Sequence, residues 1–352
     1  MQGRNPRPGV LQGKRISGTS GGRTPARRID SPLPFVRNCA VDLPVPPVLI
    51  IAFNRPDSTR RVFSAVRAAR PAKLFLACDA PRPGKPGEAE RVAEVRALVE
   101  AVDWPCEVRT KFPEANLGCG LGVSSAISWF LGEAGEGIIL EDDCLPTPAF
   151  FRFCATMLER HRHDPRVATI TGSNMAPLAE IPGSHGFSRI TASWGWATWR
   201  RAWEGYRLFP EPIRADEPWL RKLHPNAAAF LRREFAGFAE GKARTWDYQF
   251  MVQVLRAGQL NVFPARNLIL NIGFDGMGTH FGKGGRPWAA PAFAYDPSDD
   301  WADVPPVSPD AGYDRHYLTS GHRGSSKLMR QVLKWRILWA RRRRPADAVL
   351  FD

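Results

Sequence analysis

Val48-Leu49-Ile50-Ile51-Ala52-Phe53 is an unbroken apolar run. A strand covered on one face alternates apolar and polar residues, so a continuous run marks a strand buried on both. Asn54-Arg55-Pro56-Asp57 breaks it. Ser58 to Ala69 then reads as a helix, with Val62, Phe63 and Val66 on one face and Arg60, Arg61 and Arg67 on the other. Lys73 to Cys78 is a second buried strand, ending in Asp79. Glu88 to Val102 reads as a helix, Cys106 to Arg109 as a short strand and Leu121 to Gly132 as a third helix. Gly137 to Leu140 is a fourth strand, ending in Glu141-Asp142-Asp143. The alternation predicts an α/β, Rossmann-like fold with a mostly parallel central sheet flanked by helices. Such sheets bind ligands beyond the carboxyl ends of their strands. Here three of those ends carry polar chemistry: Asn54-Arg55, Asp79 and Glu141-Asp142-Asp143.

The second half is less regular. Phe150 to His161 and Ala227 to Glu240 read as helices, and Val167 to Thr171, Leu260 to Phe263 and Asn267 to Ile272 as strands. Trp246-Asp247-Tyr248-Gln249-Phe250 leads into a helix ending near Ala257. A tryptophan-rich stretch holds Trp194, Trp196, Trp199 and Trp203. Gly273 to Pro291 is a Gly-rich loop containing His280, and the chain from there to about residue 324 reads as loop.

Hydrophobic residues make up 43% of the 352 and charged residues 24%, which excludes a wholly disordered, collagen-like or coiled-coil chain. No apolar run of about 18 residues occurs, so no transmembrane helix is expected. The N-terminus lacks the apolar segment of a secretory signal. The net charge of +14 sits at the ends: +6 in residues 1–46, +6 in residues 325–352 and only +2 between. Three regions follow: a basic tail (1–46) too poor in apolar residues to fold alone, a folded region (47–324, with halves 47–150 and 151–324) and a basic C-terminal segment (325–352). In the last, Trp335, Ile337 and Trp339 interleave with Lys and Arg. A helix there is amphipathic enough for an anionic membrane surface; a helix packed on the folded region with a solvated basic end is the alternative. The six cysteines form no CxxC pair and read as reduced thiols.

Clustered carboxylates repel unless a cation or proton neutralises them. At a strand end, Glu141-Asp142-Asp143 therefore points to Mn2+ or Mg2+, which take one or two carboxylates plus substrate phosphates; a solvated acidic loop is the plainer alternative. Asp79 can accept hydrogen bonds from a base or ribose, or cap a turn. Arg55 suits a diphosphate, because a guanidinium meets phosphate oxygens in pairs; an ordinary surface arginine is the plainer alternative. The glycines of Asn116 to Gly122 precede a helix and can bring backbone N–H groups to a phosphate. Asp247, between two aromatic residues, is a general base or a helix N-cap. Trp194 and Trp196 are core, or stack on a sugar face. His280 binds phosphate or is structural.

Together these segments resemble the GT-A glycosyltransferases, and among them the N-acetylglucosaminyltransferase I-like group, from about Val48 to Phe281. Ile138 to Phe151, reading IILEDDCLPTPAFF, is similar to that group's strand, Glu-Asp-Asp form of the DXD motif and following helix start. Asn54-Arg55-Pro56, Cys78-Asp79, Trp194-Gly195-Trp196, Trp246-Asp247 and Gly278-Thr279-His280-Phe281 match further segments in the same order. The resemblance implies a GT-A fold with an acceptor-binding second half. It implies that Asp143 ligates the metal, that Arg55, Asp79, Glu141, Asp142 and His280 surround the nucleotide sugar, that Trp194 and Trp196 meet the acceptor and that Asp247 is the catalytic base. It implies sugar transfer from a nucleoside diphosphate sugar, a UDP-sugar first, to a glycan or lipid-linked glycan hydroxyl, with inversion, in surface polysaccharide or glycolipid synthesis. The eukaryotic members carry an N-terminal membrane anchor, in whose place this chain has a basic segment. A cytoplasmic protein is expected, peripheral on the inner membrane face if the C-terminal segment binds lipid.

Two other classes compete. A sugar-phosphate nucleotidyltransferase also uses acidic metal sites on an α/β sheet, but needs a Lys-containing nucleotide loop that Arg55-Pro56-Asp57 does not resemble. A nucleic-acid-binding protein fits the pI near 10, but the near-neutral folded region and the absence of a recognised motif argue that nucleic acid is no partner.

Overall fold

The apolar runs of the first half become strands because each has a hydrophobic layer waiting on either side. A computed structural model describes residues 43–176, 181–223, 225–242, 245–273 and 301–320, all within the unit Ala40–Asp352. In chain order the first elements are β1 (Val48–Ala52), α1 (Pro56–Ala69), β2 (Lys73–Cys78), α2 (Glu88–Arg96), β3 (Glu107–Lys111), α3 (Gly118–Ala134) and β4 (Glu136–Glu141). Then come β5 (Cys144–Pro146), α4 (Pro148–His161), β6 (Val167–Thr171), β7 (His185–Ser188), β8 (Trp196–Trp199) and α5 (Arg200–Trp203). The described chain continues with α6 (Pro225–Ala239), α7 (Asp247–Arg256), β9 (Leu260–Pro264), β10 (Ile269–Asn271) and α8 (Ala311–Ser320).

Eight strands among the described residues form one sheet, in the order β3-β2-β1-β4-β8-β6-β9-β7. The four strands β3, β2, β1 and β4 are mutually parallel. β8 runs antiparallel to both β4 and β6, β9 is parallel to β6, and β7 closes the sheet antiparallel to β9. β5 and β10 pair separately. The chain adds β2 and β3 on one side of β1 and β4 on the other, so the order of strand addition reverses between β1 and β4. Ligands of open α/β sheets bind at such a reversal, beyond the carboxyl ends of the two strands.

Alternation along β1 divides the core into two layers. Val48, Ile50 and Ala52 pack with Val62, Phe63 and Val66 of α1 and with Phe150 and Phe153 of α4. Leu49 and Ile51 face the other way, onto Val123, Ile127 and Phe130 of α3 and onto Phe250 and Val254 of α7. Each fully buried aliphatic side chain contributes about 1.5–3 kcal/mol, so both layers hold β1 in place. A third cluster joins Phe235 of α6, Met251 and Leu255 of α7, Phe263 and Tyr313.

Several expectations are corrected. The second helix ends at Arg96 and tightens into a 3-10 turn over Ala97–Ala101. The third begins at Gly118, whose φ of +74° lies in the left-handed region that favours glycine. β5 and β7 are strands where none is expected; at three and four residues they are too short for a readable period. The stretch after residue 300 is not all loop, since it holds α8. Asp310 starts that helix by accepting the Tyr313 N–H at 2.8 Å, and Tyr313 stacks on Phe263 with ring centroids 3.6 Å apart. No described helix is long and apolar enough to cross a membrane. The N-terminal tail to residue 42 and the segment 325–352 lie outside the described residues.

Candidate active site

The site is built where β1 and β4 end side by side, with Ile51 in register with Glu141. Pro56 opens α1, and the Arg55 carbonyl accepts the Thr59 N–H at 3.0 Å and the Thr59 hydroxyl at 2.6 Å. The Arg55 backbone is thereby pinned at the strand–helix junction, and its side chain turns into the acidic cluster. Its Nε donates to Asp142 Oδ2 at 3.2 Å, Nη2 donates to Asp142 Oδ1, and Nη1 donates to Asp143 Oδ2 at 3.1 Å. Asp142 is only 4% exposed, and its N–H donates to the Ile51 carbonyl at 3.0 Å. Burial pushes the Asp142 carboxyl up, to about 6, against the pull of Arg55. Burial would lower Arg55, but Asp142 and Asp143 outweigh it and hold the guanidinium above its ordinary value.

Asp143 is fixed through its backbone, its carbonyl accepting the Ile272 N–H at 2.8 Å. Next along the chain, Gly273 lies directly against this carboxylate. A Cβ there would overlap Asp143 Oδ2 and come within 3.1 Å of Arg55 Nη1. Asn271 orients Gly273, accepting its N–H at 2.9 Å. Glu141 is half-buried. Burial first, then the charges of Asp143, Asp142 and Asp247, push its carboxyl well above the ordinary range. The fold thus brings Asp247, from α7, into electrostatic reach of the end of β4.

Asp247 opens α7, and its carboxylate accepts the Thr245 hydroxyl. The preceding Trp246 is buried and stacks on Trp196 of β8, centroids 5.5 Å apart and planes at 20°. Tyr206 stacks on Trp203 at 4.1 Å and donates its hydroxyl to the Trp246 carbonyl at 3.0 Å. Burial and then Asp247 raise the Tyr206 phenol, and burial and then Glu141 and Asp247 push the Cys119 thiol up to about 12. The acceptor role expected of Trp196 is corrected here: at 2% exposure its ring belongs to the core. Trp194 remains partly exposed, its carbonyl accepting the Ser173 hydroxyl at 2.7 Å.

At the end of β2, Asp79 ties the strand to α3. Its carboxylate accepts N–H groups from Ala80 at 2.8 Å, Leu117 at 2.9 Å and Gly118 at 2.9 Å. The last two satisfy amides at the start of α3 that lack a helical partner. Of the backbone N–H groups in the Gly-rich segment, Asp79 takes those of Leu117 and Gly118. His280 lies outside the described residues.

Sequence reasoning misses three contributors. Glu88, buried at the start of α2, accepts Asn54 Nδ2 at 2.8 Å and the Arg82 N–H at 2.7 Å, with the Arg82 guanidinium closing on the same carboxylate. The Arg82 side-chain bonds hold it down at about 2. Its only signal is an acid in the first turn of a helix. Asn271 and Gly273 carry no signal, because their importance comes from a neighbour more than a hundred residues earlier. Cys78, Cys106, Cys119, Cys144 and Cys154 are free thiols.

No group of three or more His, Cys, Asp and Glu side chains that could hold a metal ion occurs among the described residues. The oxygen chemistry of Asp143 and the bare Gly273 backbone beside it still fit Mn2+ or Mg2+ shared with a diphosphate, since such ions commonly take one or two protein carboxylates. They do not form an all-protein cage.

No protein-family model matches the chain, and neither does any curated protein. Among solved structures it is similar to HddC from Yersinia pseudotuberculosis, at 11% identity over 45% of this chain and 79% of that one, with a TM-score of 0.29. The mannosyltransferase PcManGT from Pyrobaculum calidifontis, in complex with GDP-Man and Mn2+, aligns at 13% identity over 60% of this chain and 69% of that one, with a TM-score of 0.32. A UDP-glucose pyrophosphorylase complexed with UDP-glucose aligns at 6% identity over 62% and 90%, also with a TM-score of 0.32. Overlaps this slight carry no argument. The α/β class stands on the sheet itself.

Proposed function

We infer that the chain is a metal-dependent glycosyltransferase that moves a sugar from a nucleoside diphosphate sugar to an acceptor hydroxyl. The observation that carries this reading is the meeting of Arg55, Glu141-Asp142-Asp143 and Asp247 at the β1/β4 crevice. One cluster supplies a cation and carboxylates suited to a metal diphosphate, and a separate carboxylate stands near it.

In this reading Arg55 meets the diphosphate and Asp143 holds Mn2+ or Mg2+, with Glu141 and Asp142 completing the pocket around sugar and ribose. A bound divalent ion supplies charge stabilisation for the departing nucleoside diphosphate. Asp79 fixes α3 at the nucleotide end of the crevice. Asp247 takes the proton of the acceptor hydroxyl as its oxygen attacks the anomeric carbon, and the bond to the nucleoside diphosphate breaks. A single base implies inversion, as in the N-acetylglucosaminyltransferase I-like group that the motifs resemble. A UDP-sugar donor, a glycan or lipid-linked acceptor beside Trp194 in surface polysaccharide or glycolipid synthesis, His280 at the donor, and a cytoplasmic protein touching anionic membrane through residues 325–352 belong to the same proposal.

The test is a product assay with nucleotide sugars and Mn2+. Release of nucleoside diphosphate, with the sugar passing to an alcohol or water, supports transfer. Release of pyrophosphate from a sugar 1-phosphate and a nucleoside triphosphate identifies a nucleotidyltransferase instead.

A further inference from the structure

Arg55 stands inside the acidic cluster in the place of a cation. Its guanidinium forks across both oxygens of Asp142 and reaches Asp143 Oδ2 at 3.1 Å. Among the described residues, the other Asp143 oxygen accepts the Cys144 thiol, a weak donor at 3.4 Å. These are the carboxylates to which the proposed function gives the divalent ion and the donor pocket. A Mg2+ ion sits about 2.0–2.1 Å from each ligand oxygen. A guanidinium already bonded to the same carboxylate opposes that approach by charge and by occupancy. Gly273 packs against the same oxygen, Oδ2, so Asp143 has little room to swing away.

The Arg55 backbone is fixed by Thr59, so only its side chain can yield. The guanidinium is largely buried, and leaving Asp143 without a new acceptor is unfavourable. A diphosphate offers one, since its paired oxygens match the guanidinium fork.

We propose that Arg55 is the resident counter-ion of Asp142 and Asp143, and that a diphosphate frees Asp143 for the divalent cation by taking Arg55 as its own partner. The proposal rests on the nucleotide-diphosphate reading of the site. Metal and nucleotide then bind cooperatively, and by linkage each strengthens the other by the same factor.

The test measures Mn2+ uptake by the full chain from the electron paramagnetic resonance signal of the free ion. Wild type, Arg55→Gln and Arg55→Lys are compared with and without UDP or GDP. Wild type is expected to bind Mn2+ about tenfold or more tightly with its nucleotide than without. Arg55→Gln is expected to bind Mn2+ alone about tenfold or more tightly than wild type, because an adjacent opposite charge shifts a carboxylate's proton affinity by one to three powers of ten. Arg55→Lys, which keeps the charge but not the fork, falls between. Thermal melts verify folding, and Arg55→Lys carries the comparison if Arg55→Gln does not fold. A folded variant that binds Mn2+ alone no better than wild type overturns the counter-ion role. So does a wild type that binds nucleotide yet takes up Mn2+ equally with and without it. If no form binds UDP or GDP while the Arg55 variants still gain Mn2+ affinity, the counter-ion role stands and the nucleotide reading falls.

Discussion

Trp196 of β8 stacks on Trp246 at the threshold of α7, rings 5.5 Å apart and inclined by 20°. The contact fastens the central sheet to the residue that immediately precedes Asp247. Trp246→Ala removes a buried ring from the layer shared with Trp203 and Phe250. A loss of about 3–5 kcal/mol is expected, the range for deleting a large aromatic side chain from a core. Urea unfolding checks it, and a loss below about 1 kcal/mol would show that the stack does not anchor α7.

Asp247→Asn preserves shape and removes the base. Turnover is expected to fall by about 10²–10⁴, with affinity for the nucleotide nearly unchanged. Steady-state kinetics and nucleotide titration of the same preparation separate the two effects. Unaltered turnover would remove Asp247 from the mechanism.

Gly273→Ala places a methyl group on the Asp143 carboxylate and close to Arg55. Nucleotide affinity in the presence of Mn2+ is expected to fall about tenfold or more, since a misplaced ligand costs in proportion to the precision it disturbs. Calorimetric titration reads the change, and wild-type affinity would mean that the Gly273 approach has no bearing on the site.

His161 gives a pH prediction of definite sign. Its ring is buried against Phe187, and burial, then Arg160, lowers it to about 4. The unfolded chain protonates this histidine near its ordinary value of about 6.5, above the folded value. The unfolded state therefore binds more protons between these limits, and the stability His161 contributes above about pH 6.5 is lost as pH falls toward 4. His161→Phe cannot take up that proton. The stability of wild type minus that of the variant is expected to decline from pH 7 to pH 4.5 in urea unfolding. A difference independent of pH would contradict it. Carboxylates that titrate in this window, Asp142 among them, are common to both proteins and largely cancel.

The first half of the fold is legible because each apolar run from Val48 to Leu140 is long enough to require cover on both faces. The carboxyl-end site is legible for the same reason, since parallel buried strands leave polar chemistry only at their ends. The tryptophan stretch is not, because an inner strand and an acceptor platform use the same residues; only the sheet reveals that β8 lies between β4 and β6 and buries Trp196. Sequence leaves Asp79 as either a base contact or a cap, and in the fold its carboxylate takes the amides of Leu117 and Gly118. Asp310 caps α8 within a stretch that reads as loop. The Arg55 pairing joins residues 87 and 88 positions apart, a separation that no local pattern encodes.

The central claim is that Asp143 and its neighbours form a metal-dependent nucleotide site. Calorimetric titration of wild type and Asp143→Ala with UDP and with GDP, each with and without Mn2+, tests it most directly. The expected result is binding of one nucleotide that requires Mn2+ and disappears in Asp143→Ala. Failure of both nucleotides to bind under any condition, or binding that survives unchanged in the variant, would contradict it.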